Sequence, residues 1–163
     1  MGATIQELET QLSNLSKNYS AEPVIINFPL ILNTGVADQP DIYGRVGNLF
    51  IADRDYTIVG IKACHNVVQT SADGAAISVF KVAGTVAPED ATLNLITDTA
   101  FSGNDALFKG FNLKGIAVNT VTDVTLTTKA ETLSLLTGER LVWGCRGTIT
   151  STTVLLSVKL TRN

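Results

Sequence analysis

The stretch that decides the fold runs from Leu133 to Thr161, LSLLTGERLVWGCRGTITSTTVLLSVKLT. At its end Val154, Leu156, Val158 and Leu160 alternate with more polar neighbours, Ser157, Lys159 and Thr161. A period of two puts the first set on one face of a β-strand and the second on the other. Upstream, Leu141, Trp143 and Cys145 repeat that alternation. Thr137-Gly138 lies between two apolar runs and predicts a hairpin joining 133–136 to 139–146.

Working outward, the same grammar covers most of the chain. Val24 to Leu32 is an apolar run, but Pro29 inside it removes a ladder donor and predicts an edge strand or a bulge. Asn33 to Gly44 reads as loop, with Gly35, Asp38, Pro40 and Asp41 as turn formers. Strands are expected at 46–52 and 57–68, the second with Val59, Ile61, Ala63 and Val67 facing a core. Asp73-Gly74 is a strong hairpin signal ahead of a strand at 77–83. Further short strands are expected at 93–97, 111–113 and 118–127. In the last of these Val124 and Leu126 point in, and Thr125 and Thr127 point out.

This makes eight to ten short strands with no helix of crossover length between them. A parallel βαβ sheet is therefore excluded, and an all-β, antiparallel β-sandwich of jelly-roll-like type is expected.

The N-terminus departs from this pattern. Ile5, Leu8, Leu12 and Leu15 are spaced three, four and three apart, which places them on one seam of a helix. Thr4 and Glu7 have the form of a capping box, so the spacing predicts a helix over 4–17. A polar connector, Asn18 to Glu22, and Pro23 follow. The domain division is thus 1–22, a helical arm, and 23–163, the sandwich body. A two-heptad helix is marginal alone in water. Its seam needs a partner surface, either the body of its own chain or, as expected here, the helices of sister copies. Ile5, Leu8, Leu12 and Leu15 are the predicted oligomerisation residues.

Composition narrows the function classes. The net charge is −3 and the pI about 5.0, so no nucleic-acid partner is expected. Charged residues are 17% of the chain and mean hydropathy is +0.24, which fits surfaces covered by other subunits. No apolar window reaches the length of a membrane span, so no membrane partner is expected. The start, Met-Gly-Ala-Thr and then an acidic amphipathic segment, has neither a secretory signal nor a myristoylation signal, so synthesis in the cytoplasm is expected.

No catalytic constellation is visible. His65 is the single histidine and by parity shares a face with Ala63, so a core imidazole or strand-end residue is expected rather than a base. Cys64 and Cys145 fall on opposite kinds of face and are expected as unpaired thiols. The acidic pairs Asp38 and Asp41, Asp53 and Asp55, and Glu89 and Asp90 sit in predicted turns, where carboxylates bond the backbone. No calcium-loop or phosphate-loop pattern occurs. No catalytic, cofactor-binding or metal-ligating residue is assigned, no cofactor is expected, and the chain is not read as an enzyme.

The C-terminal half carries a resemblance. Phe111-Asn112-Leu113-Lys114-Gly115, Asn119-Thr120-Val121, Leu133-Ser134-Leu135 and Gly138-Glu139-Arg140-Leu141, with the alternating final strand, resemble small virion proteins of tailed bacteriophages. These are capsid decoration (cement) or head-fibre proteins. The likeness covers roughly 45–163 and consists of strand and turn signatures, so no functional residue carries over. It implies a homotrimeric sandwich on the capsid surface of the virion. An arm would contact sister subunits or the shell, and the major capsid protein would be the partner. The alternative is a trimeric receptor-binding or adhesin tip of a phage fibre that recognises host surface glycans through loops 33–44 or 98–110. A hydrolase on a sandwich scaffold, with acids converging only in three dimensions, is a third reading.

Overall fold

A computed structural model describes residues 4–33, 35–37, 45–70, 75–87, 91, 93–96 and 110–163. Helix α1 spans Ile5–Ala21 and is followed by β1, Val24–Leu32. Then come β2 (Gly35–Ala37), β3 (Arg45–Ile51), β4 (Tyr56–His65), β5 (Ala75–Val82), β6 (Leu93–Asn94) and β7 (Phe111–Asn112). A 3-10 turn covers Leu113–Gly115 and leads to β8, Thr122–Asp123. One helical turn, α2 (Ala130–Leu133), precedes β9 (Ser134–Leu135), β10 (Arg140–Ile149) and β11 (Thr152–Arg162).

All strand pairs are antiparallel, and they form two sheets. The first sheet runs β1-β11-β4-β8, with β9 also on β4. In the second, β10 is flanked by β2 and β3 along one side and by β5 on the other, and β5 carries β6 and β7. Early strands thus pair late ones: β1 with β11, β3 with β10. The orders β1-β11-β4-β8 and β3-β10-β5-β6 are those of a jelly roll, two Greek keys wound into facing sheets.

The core fills the space between the sheets. Val154, Leu156, Val158 and Leu160 of β11 are all buried, as their alternation requires. They meet Ile77, Val79, Leu141 and Cys145 from the opposite sheet, with Trp143 partly buried against them. β5 is buried on both faces, because Ala76, Phe80 and Val82 form a second cluster with Val142, Ala91 and Val86 on its outer side.

Several expectations are corrected. Neither predicted hairpin forms: β4 and β5 lie in opposite sheets, as do β9 and β10. The Thr137-Gly138 turn instead carries the chain from one sheet to the other, with Gly138 at φ 83. Residues 73 and 74 lie outside the described part. The segment read as loop contains β2, three residues held by pairing to Gly147–Ile149 rather than by any pattern of their own. The strand expected at 118–127 shrinks to β8, and Thr127 is buried, with its backbone N–H bonded to the Leu95 carbonyl.

Val59 is exposed, and Ile58 is buried in its place. The pairing shifts between Lys159 and Leu160, so Val59 is the surplus residue of a bulge and parity flips across it. Pro29 sits on an edge strand, paired with Leu155 in unbroken register. That is one of the two places predicted for it.

Candidate functional site: an uncovered helical seam

The helix start is built as the sequence requires. The Thr4 backbone N–H donates to Glu7 Oε2 at 2.7 Å, and the Glu7 backbone N–H donates to Thr4 Oγ1 at 3.3 Å. Both halves of the capping box are present. The bond from the Thr4 backbone, and then that from its side chain, holds the Glu7 carboxyl below its ordinary range. The helix continues four residues past the predicted end. No glycine or proline interrupts Asn18 to Ala21, and only Pro23 stops propagation.

Among the described residues nothing covers the seam. Ile5, Leu8, Leu12 and Leu15 are 77%, 54%, 69% and 58% exposed. α1 meets the body at β11, yet its described side chains, residues 4–15, are all exposed. The residues flanking the seam, Glu9, Gln11 and Ser16, are polar and mostly uncharged. Four aliphatic side chains in one row on a helix need a nonpolar partner to be worth burying.

The remaining predicted chemistry resolves into structure. His65 ends β4 and is 1% exposed, and among the described residues neither ring nitrogen has a hydrogen-bond partner. Burial pushes its pKa down, so the imidazole is neutral. It is a core residue, but one whose ring nitrogens go unmatched among the described residues. Cys64 is half-buried and Cys145 buried, and both are free thiols.

Asp53 accepts a hydrogen bond from the Tyr56 hydroxyl at 2.6 Å, which lowers its pKa and raises that of the phenol. Asp55 accepts from the Thr137 backbone N–H at 2.8 Å and its hydroxyl at 2.9 Å, and its pKa is lowered by these bonds. These carboxylates hold turns together. Asp38, Asp41, Glu89 and Asp90 lie outside the described residues, as do most of 33–44 and 98–110. Among the described residues no group of His, Cys, Asp and Glu is placed to hold a metal ion. No described helix is long and apolar enough to cross a membrane.

Two features escaped the sequence reading. Lys81 is buried near α2, where its Nζ donates to the carbonyls of Glu131 and Ser134. A surface cleft of about 540 Å³ opens between the 3-10 turn and β8, lined by Asn112, Lys114, Ile116, Thr122 and Asp123 among others. No single one of these carries a signal that could have announced it. The Asp123 carboxylate is also 3.4 Å from Lys62 Nζ.

Compared with known proteins, the chain matches no family model, no curated protein and no solved structure.

Proposed function

We propose that this chain is a structural virion protein of the capsid decoration (cement) type. It assembles as a homotrimer through α1 and sits on the capsid surface, bound to the major capsid protein as a passive clamp, without catalysing a reaction. The single observation that carries the assembly is the seam Ile5-Leu8-Leu12-Leu15, exposed along a properly capped helix. Such a row is stabilised when several helices bring it together. The virion setting rests on the strand and turn signatures of 111–141, and on a jelly roll, a fold used by viral capsid and lectin domains.

Sedimentation of the full chain, beside a chain lacking residues 1–21, tests the reading. The expected result is a trimer that dissociates on deletion and loses co-sedimentation with purified capsids. A stable single-copy species at micromolar concentration overturns it.

A second reading is favoured by the cleft beside β8. Asn112, Lys114, Thr122 and Asp123 offer the mixed donors and acceptors that a sugar requires, which suits an adhesin tip. Retention on a glycan array, with no affinity for capsids, would select it.

A further inference from the structure

The helical seam is too small to hold the assembly by itself. Burying one aliphatic side chain removes on the order of 100 Å² of apolar surface, so four contribute about 400 Å² per copy. Stable interfaces use about 800 Å² per partner. The missing area has to come from the body.

The body offers one face that fits. β1 follows α1 after only Glu22 and Pro23, so the strand starts within about 10 Å of the helix end. It is the edge of its sheet, and no described element pairs its free side. Edge strands that face water are normally guarded by charge. β1, VIINFPLIL, has none in nine residues, and Pro29 is its only guard. Ile25 and Ile31 on its outer face are 59% and 76% exposed. Leu155, opposite Pro29 on β11, is exposed beside them. A cavity of about 220 Å³ opens on the same face, lined by Asn27, Cys64, Val121 and Leu155 among others. Together these side chains supply about 300 Å² more, which brings the total close to what an interface needs.

We propose that the outer face of the β1-β11-β4 sheet, centred on Ile25, Ile31 and Leu155, is covered by a second copy of this chain. The contact between copies then runs from the helical seam onto the sandwich. This rests on the assembly reading above, extends it to the body, and places Cys64 inside the interface.

The test uses the full chain and two variants, Ile25→Lys/Ile31→Lys and Leu8→Lys/Leu12→Lys, with circular dichroism confirming that each retains its β signal. Oligomer mass is read by sedimentation, and Cys64 accessibility by the rate of maleimide labelling, with Cys145 buried and silent. The β1 variant is expected to dissociate at a protein concentration at least tenfold higher than the parent does. Cys64 is expected to label at least tenfold more slowly in the parent assembly than in the helix variant.

An unchanged mass for the β1 variant, with equal Cys64 rates, overturns this inference and leaves the helix reading standing. Dissociation of the β1 variant alone, with the helix variant still assembled, supports the face and sinks the helix reading. A β1 variant that keeps its mass but no longer binds capsids assigns the face to the shell and overturns the proposal. A parent chain that sediments as a single copy overturns both.

Discussion

Lys81 Nζ lies 3.6 Å from Glu139 Oε2, and the same ammonium donates to the carbonyls of Glu131 and Ser134, each at 2.7 Å. Lys81 belongs to β5 in one sheet, whereas Ser134 begins β9 in the other. One cation therefore ties the end of the second sheet to α2 and to the turn that crosses between the layers. The Glu139 carboxylate is engaged further by the Leu136 backbone N–H at 2.7 Å. A buried lysine is tolerable only when its charge is matched this fully.

Lys81→Met keeps most of the volume but strands two carbonyls and a carboxylate. The expected loss is about 2–4 kcal/mol, read from the urea midpoint. Glu139→Gln, which leaves both carbonyl acceptors in place, should cost less. A Lys81→Met chain as stable as the parent would show that this tie is unimportant.

His65 predicts an acid sensitivity of definite sign. Unfolded, it titrates near 6.5, and in the fold burial sets its value lower. Below pH 6.5 the unfolded chain therefore binds a proton that the native chain refuses, and stability rises with pH there. The full stability is present above 6.5 and is lost as pH falls through the lowered native value. Asp53, Asp55 and Glu7 are shifted below the ordinary carboxylate range, so their own contributions fade only in stronger acid. His65→Leu breaks no side-chain hydrogen bond among the described residues, and it should flatten the rise of stability with pH just below 6.5. An unaltered slope in that variant would point to another group.

Gly47 and Trp143 face each other across the β3-β10 pair. A Cβ at position 47 would meet Trp143 Nε1 at 2.5 Å, too close for the indole to stay in place. Gly47→Ala should destabilise by about 1–3 kcal/mol and shift the emission of the single tryptophan.

The bulge in β4 separates two neighbouring aliphatics. Ile58→Ala should cost about 2–5 kcal/mol because Ile58 is fully buried, whereas Val59→Ala should stay within about 0.5 kcal/mol. Comparable losses at the two positions would mean that the pairing shift is misplaced.

Leu12→Ala at the seam should leave the thermal unfolding of the sandwich unchanged while weakening assembly. A rise of at least about tenfold in the concentration at half-dissociation is expected, which for a trimer is about a hundredfold in the dissociation constant, or about 2.7 kcal/mol per assembly. Sedimentation across a dilution series measures it.

What could be read from the sequence was local. The capping box, the three-four-three spacing and the alternation of Val154 to Leu160 each depend on residues within a turn or two of one another, and each is found in the structure. The partner of each strand was not legible. Turn residues at 137 and 138 mark a reversal of direction, but whether the chain returns beside itself or crosses to the other sheet depends on β10 meeting β3 and β5, which lie far upstream. Parity failed at Val59 for the same reason, because a bulge exists only relative to the strand opposite.

Lys81 illustrates the limit for individual side chains. A lysine within an apolar strand looks like a solvent-facing residue until the carbonyls of Glu131 and Ser134 arrive. The seam was the reverse case, since four residues of one helix define it whatever the rest of the chain does.

The pairing of β1 with β11, from Val24 with Leu160 to Leu32 with Thr152, also sets an order of events during synthesis. The ribosome makes β1 before β11, its ladder partner among the described residues. Until β11 emerges, this uncharged nine-residue strand lacks its described ladder partner. Pro29 then protects the nascent chain, because a strand with a missing donor is a poor template for another chain to join.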